Sequence, residues 1–235
     1  MDPNKRKKQG EYVADYLLPL LERFQYRTPV ADLGCGQGGI LQSLAQHSRG
    51  PFIGIDFNEG SIHKAKNECP AELSIDFRTG DIRLIEGLEA GTILLCDVVE
   101  HMGAEIALDG AGRNLAPGGL VYVSFPPWRS PFGAHQQLSR NWVKNFPWIH
   151  LVLPKLTYST SLKGTENSED IHSVFRNRLT SRGFESLAED RGWKVVYRQK
   201  YLVRPELTRK GLKVRKAPSL MPEFLTTGCE YLLKR

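Results

Sequence analysis

The chain has 235 residues, of which 40% are hydrophobic and 25% charged, an ordinary globular composition that excludes a fibre, a coiled coil and a disordered tail. That length can bury a sizeable core without a disulfide or metal staple. The formal net charge of +6 admits an anionic partner, although charge runs usually form solvated surface.

The N-terminal stretch MDPNKRKKQGEY is basic and has no apolar run behind it, and no later run approaches the ~20 residues of a membrane span. The four cysteines, Cys35, Cys69, Cys96 and Cys229, are scattered, with no C-x-x-C pair, and read as thiols in a reducing compartment. The expectation is a cytoplasmic protein with no membrane partner.

Residues 11–24 read as an amphipathic helix kinked at Pro19. Residues 29–33 are a short apolar strand, followed by a Gly-rich turn at 34–39 and a helix in ILQSLAQHS. A second strand spans 51–56, a helix 59–68, and further strands 73–78 and 92–97. A helix over 103–115 stops at Pro117-Gly118-Gly119, and a fifth strand spans 120–125. This alternation is the pattern of a doubly wound α/β sheet. Residues 126–178 show no clear period and contain five prolines, three tryptophans and three histidines. They read as a lid inserted into a single domain covering 1–235. A helix over 180–191 and strands over 193–203 and 224–233 follow, the two strands joined by a basic connection.

The turn Val30-Ala31-Asp32-Leu33-Gly34-Cys35-Gly36-Gln37-Gly38-Gly39 sits between a strand and a helix. Glycines there let the backbone approach a ligand, and the helix N-terminus favours an anionic group. Asp56 ends the second strand, where an acid can accept both hydroxyls of a ribose. Asp32 would repel a pyrophosphate but can pair with an ammonium. The ligand should therefore carry an amino group near the turn and a ribose beyond it.

On these residues the sequence resembles the class I S-adenosylmethionine-dependent methyltransferases. VADLGCGQG is similar to their first motif, GIDFN (54–58) to the second, TGDI (79–82) to the third, LLCDVVEHM (94–102) to the fourth and LAPGGLVYVSF (115–125) to the turn and fifth strand. The resemblance covers about 1–125 and 179–235. It implies a seven-stranded sheet with the last strand antiparallel, and S-adenosylmethionine as cofactor. It places Asp32, Gly34, Gly36, Gly38, Asp56, Phe57, Asp81, Ile82 and Asp97 around that cofactor, with Asp56 on the ribose and Asp81 on the adenine amine.

Methyl transfer to a hydroxyl needs proton removal. Asp97, Glu100 and His101 stand at i, i+3 and i+4, and would share a face if a helix begins there. D-x-x-E-H resembles the segment of metal-dependent relatives, the ubiquinone-pathway O-methyltransferases and the small-RNA 2′-O-methyltransferases. In the RNA enzymes a second histidine follows the fifth strand, and His135 can take that place. Asp97, Glu100, His101 and His135 are thus candidate ligands of Mg²⁺, Mn²⁺ or Zn²⁺, while His135 and His101 are equally candidates for a metal-free catalytic base.

The lid should choose the substrate. Trp128, Arg129, His135, Trp142, Trp148, His150, Lys155 and Tyr158 are its polar-aromatic candidates, with Trp128 and Arg129 nearest the fifth strand. Trp142 and Trp148 serve equally well as a small core of the lid. The expected acceptor is a polar small molecule of a biosynthetic pathway, of natural-product or glycan type, methylated at oxygen. The alternatives are RNA, suggested by Lys5-Arg6-Lys7-Lys8 and the basic run from Arg204 to Lys216, and a non-catalytic cofactor-binding module.

Overall fold

The computed structural model describes residues 12–163, 168–205 and 212–235. The basic N-terminal cluster at 5–8 and part of the basic connection after Arg204 lie outside the described residues.

The sheet has eight strands. β1 (Val30–Leu33), β2 (Phe52–Asp56), β3 (Ile75–Thr79), β4 (Ala90–Cys96) and β5 (Leu115–Phe125) run parallel. They are joined by β6 (Lys194–Val203), β7 (Arg215–Ala217) and β8 (Gly228–Lys234) in the order β3-β2-β1-β4-β5-β8-β6-β7. β8 is antiparallel to both β5 and β6, as expected of the last strand, and it lies between them. The eighth strand is the short edge strand β7, which falls in the basic connection. Its sequence, RKA, carries no apolar alternation to announce it.

The apolar runs of β1, β4 and β5 explain why these strands lie at the centre: VADL is buried at all four positions, and both faces must be covered. One face is covered by α1 (Leu18–Arg23), α2 (Gly39–His47) and α3 (Glu59–Glu68), whose Leu21, Leu41, Leu44, Ile62 and Ala65 pack on Val30, Leu94 and Tyr122. The other face is covered by α5 (Ala104–Asn114) and α9 (Ser181–Asp190), through Ala107, Leu108, Ala111, Phe184 and Ala188.

Two local departures from the sequence pattern have clear causes. Pro19 does not kink a continuous α-helix. The turn before it, Val13–Leu17, is π-helical and α1 starts at Leu18, which absorbs the missing N–H of the proline. The helix after β4 is split by Gly103, at φ 96°, into a single turn, α4 (Val99–Met102), and α5.

The aperiodic insertion is helical. It holds 3₁₀ turns at Gln136–Leu138 and Trp142–Asn145, followed by α6 (Ile149–Val152), α7 (Pro154–Leu162) and α8 (Ser168–Asn177). It has a core of its own made of Trp128, Ala134, Ile171, Val174 and Phe175. No described helix is long and apolar enough to cross a membrane. All four cysteines are free thiols, with Cys35 and Cys229 buried.

Candidate active site

The C-terminal ends of β1 and β2 build the first half of the site. Gly34, Gly36 and Gly38 have φ of 90°, 53° and 73°, the left-handed region where a side chain is strained. A Cβ on Gly36 would meet nothing within 4 Å, so this backbone faces open space; one on Gly38 would overlap the Phe77 ring. Asp56 ties the two strand ends together. Its Oδ2 accepts the Gly36 N–H at 2.7 Å and its Oδ1 accepts the Asn58 N–H at 2.8 Å, leaving each oxygen further lone-pair capacity.

Asp32 is 1% exposed, and its Oδ1 has no hydrogen-bond partner. Burial, reinforced by the nearby Asp56 charge, pushes its carboxyl up to about 7. A buried acceptor without a donor is costly unless a ligand supplies one. Phe57 lies just beyond β2 and is 80% exposed, an apolar side chain presented to solvent beside Asp56. Asp81 is held ionised by its hydrogen bond from Arg83, whose Nη2 lies 2.5 Å from Oδ2. Ile82 is buried in the core under α5.

The ends of β4 and β5 build the second half. Asp97 follows β4 with φ 55°, outside the helix, so Asp97, Glu100 and His101 do not share one helical face. The Asp97 carboxylate turns instead to Arg204 at the end of β6, whose Nη2 lies 2.5 Å from Oδ1. The expectation that Asp97 joins a metal set with the other three is corrected on this ground.

Glu100, His101 and His135 do come together. Glu100 is 1% exposed, and its Oε1 lies 3.9 Å from His101 Nε2 and 3.8 Å from His135 Nε2. The imidazole rings meet edge to face at 4.9 Å. One donor atom from each residue falls within 4.8 Å of the others. Burial, with the charges of His101 and Arg204, pushes His135 down to about 3, so its ring is neutral.

Three supporting residues carried no sequence signal that reached them. On α8, Ser173 Oγ is 2.9 Å from His101 Nδ1, and Asn177 Nδ2 donates to the carbonyls of Glu100 and His101 at 3.0 and 2.7 Å. Ser173 and Asn177 stand at i and i+4, on the same side of a helix, SEDIHSVFRN, whose other polar residues leave them no distinguishing mark. Ser124, at the end of β5, has a buried Oγ without a hydrogen-bond partner.

The insertion draws Trp128 and His150 into its own core and disperses the other substrate candidates. Trp128 is the centre of the lid core, with Phe175 edge-on at 5.1 Å and His150 at 4.8 Å. His150 is fully buried, and its Nε2 is 2.7 Å from the Trp128 carbonyl; burial lowers its pKa, so the neutral ring donates there. It is a structural histidine. Arg129 has an exposed side chain, and its backbone N–H donates to Glu223. Trp142 is 49% exposed and stacks edge-on against Phe146, away from the triad's contacts. Trp148 anchors the lid to the chain before β8 by donating its indole N–H to the Phe224 carbonyl at 2.7 Å. Tyr158 bonds His172 at 2.5 Å on a separate cleft.

Residues 30–119 match a family model described as a methyltransferase domain. This match, together with the fold, supports a class I S-adenosylmethionine-dependent methyltransferase. A search of curated protein sequences found no match. Among solved structures, the fold is similar to an S-adenosylmethionine-dependent methyltransferase from Mesorhizobium loti, at TM-score 0.61 and 14% identity, covering 92% of this chain and 96% of that one. It is also similar to magnesium protoporphyrin IX methyltransferase from Synechocystis with bound S-adenosylhomocysteine, at TM-score 0.57 and 16% identity over 99% and 85% of the two chains. A putative S-adenosylmethionine-dependent methyltransferase from Listeria monocytogenes gives TM-score 0.59 and 14% identity over 95% and 98%.

Neighbours solved with bound S-adenosylhomocysteine support S-adenosylmethionine as the cofactor. The residues present fit it. Its ammonium would meet the orphaned Asp32 Oδ1, the open backbone at Gly36 leaves room for close approach, and Asp56 retains acceptor capacity that a ribose would use.

Proposed function

We propose that this methyltransferase acts on a hydroxyl oxygen of a polar small molecule, such as a sugar-like or other secondary-metabolite acceptor. In this reading Glu100, His101 and His135 are the centre that holds the hydroxyl and removes its proton. The observation that carries the reading is the convergence of two imidazole Nε2 atoms on one buried carboxylate oxygen, at 3.8 and 3.9 Å, beside the C-terminal end of β4. Doubly wound folds bind their ligands at this edge.

When bound, the cofactor supplies an electrophilic methyl group. The chain must then align the acceptor oxygen and take its proton. Neutral His135 has a lone pair for that proton, and the Glu100 carboxyl, 3.8 Å from its Nε2, faces the same ring. Ser173 fixes the His101 ring, and Asn177 fixes the backbone of α4. Asp97, 40% exposed at the rim, and Arg204 offer further hydrogen-bonding groups to a polyhydroxylated acceptor.

A second reading is favoured by the donor set itself. One carboxylate and two imidazoles whose donor atoms lie within 4.8 Å suit a divalent ion, and the Ser173 bond is of the kind that orients a metal-binding ring. Glu100, His101 and His135 would hold it, and the ion would lower the pKa of the acceptor hydroxyl.

The test is cofactor turnover across a panel of hydroxylated acceptors, with and without Mg²⁺, Mn²⁺ or Zn²⁺ on metal-stripped protein. His135→Ala should lower turnover by about 10²–10⁴-fold while S-adenosylhomocysteine affinity is unchanged. Full turnover in His135→Ala refutes both readings. Turnover by the wild type that needs added metal, with a saturable metal heat lost in His101→Ala, selects the second.

A further inference from the structure

Outside the methyl-transfer edge, the insertion forms a cleft of about 380 Å³ between α7 and α8. Its walls include Lys155, Tyr158, His172, Phe175, Arg176 and Arg178. We infer that this cleft is a binding subsite for a phosphate group, distinct from the methyl-transfer centre.

Four of these side chains are cationic or can become so, and none of the described lining residues is acidic. Lys155 and Arg176 have no hydrogen bond or ion pair among the described residues, whereas the exposed arginines Arg78, Arg83, Arg191 and Arg198 each pair with a carboxylate. Clustered, unpaired cations repel one another, and an anion between them removes that cost. Arginine offers a planar fork that matches phosphate oxygens, and lysine adds a mobile point charge.

The remaining walls suit the same ligand. Lys155 stands in the first turn of α7, a nine-residue helix whose N-terminal end carries partial positive charge and free N–H groups. Tyr158 is already oriented by His172, at 2.5 Å. Phe175 and Arg178 are fixed from behind by Trp128, with the Phe175 ring at 5.1 Å and the Arg178 guanidinium over the indole at 5.6 Å. The Arg178 Nε–H also donates to the Phe175 carbonyl at 3.0 Å. The cleft is therefore partly preorganised by the lid core, and its volume exceeds that of a single phosphate, leaving room for the group that carries it.

The cleft is not the triad's own pocket. On α8, Ser173 and Asn177 face α4 and the triad, while His172, Phe175 and Arg176 face the cleft. At 100° per residue these are different sides of one helix. A phosphate held here anchors a ligand through a helix that also buttresses His101.

Sodium pyrophosphate is the probe, titrated calorimetrically into the full chain at constant ionic strength. Saturable one-to-one binding is expected, weakened at least tenfold in Lys155→Ala and in Arg176→Ala. The double variant Lys64→Ala/Lys66→Ala removes the same kind of charge from α3 and should bind as the wild type does. Sedimentation with phosphatidylglycerol vesicles distinguishes a lipid headgroup from a soluble phosphate ester: loss of vesicle binding in the same two variants, without pyrophosphate binding, assigns the subsite to the headgroup. Absence of both kinds of binding overturns the inference, as does binding that the α3 variant loses equally.

Discussion

Arg204 Nη2 lies 2.5 Å from Asp97 Oδ1, a bond that joins the end of β6 to the end of β4. The arginine is 8% exposed, so Asp97 compensates a buried charge. Replacing Asp97 by Asn should cost about 1–3 kcal/mol, less than a fully buried pair because the carboxylate is partly solvated. For a chain of this size that is a fall in Tm of roughly 2–10 °C in differential scanning calorimetry. Any metal heat should persist in Asp97→Asn and vanish in Glu100→Gln. The reverse outcome would return Asp97 to the metal set.

The fold up to β5 was legible because its strands are short apolar runs separated by turn residues, and β1, β4 and β5 are buried on both faces. The geometry at the ends of β1 and β2 was legible for a related reason: a glycine-rich turn and acids at strand ends stand out locally. The triad was half legible. Glu100, His101 and His135 converge as expected, but Asp97 departs because one left-handed residue between strand and helix changes its direction, and no spacing rule registers that. The insertion was opaque because its apolar residues divide between a small core around Trp128 and exposed positions such as Trp142, Phe146 and Val152, so no single stripe emerges. Arg204 was hidden in a basic run whose other members lie on the surface or outside the described residues.

Asp32 sets a pH dependence. Burial raises its pKa from 3.8 in the unfolded chain to about 7 in the fold. Between those values the folded state keeps a proton that the unfolded state has released. Stability should therefore fall as pH rises from about 4 to about 7, by up to about 1.4 kcal/mol per pH unit, and level off above. Urea unfolding across that range should show the slope in the wild type and lose it in Asp32→Asn. A cofactor ammonium favours the ionised carboxylate, so S-adenosylhomocysteine affinity should move the opposite way, rising by up to about tenfold per pH unit below about 7. Proton release on binding, read from calorimetry in buffers of different ionisation enthalpy, checks the same linkage.

Gly36 and Gly38 separate binding from folding. Both need a left-handed backbone, which costs an alanine about 1–2 kcal/mol. At Gly36 the added methyl meets open space, so Gly36→Ala should fold with that modest loss and lose cofactor affinity. At Gly38 the methyl overlaps Phe77. Gly38→Ala should lose about 1–3 kcal/mol more, through overpacking. Equal Tm values for the two variants would contradict this division.

His150 separates structure from chemistry in the insertion. Its neutral ring fills the lid core and donates to the Trp128 carbonyl. His150→Ala should destabilise by roughly 2–4 kcal/mol, from a cavity and a lost buried hydrogen bond, and should speed limited proteolysis between β5 and α8. Turnover per folded molecule should hold. A large loss of turnover with no change in Tm would make His150 a substrate residue after all.

The central claim is that the edge built by Asp32, Gly36 and Asp56 holds the cofactor. Calorimetric titration of the full chain with S-adenosylhomocysteine, beside Asp32→Asn, tests it most directly. The wild type should bind one equivalent saturably. The variant should bind at least about tenfold more weakly, because an ammonium loses its buried anionic partner. No saturable heat in the wild type, or unchanged affinity in Asp32→Asn, would contradict the account.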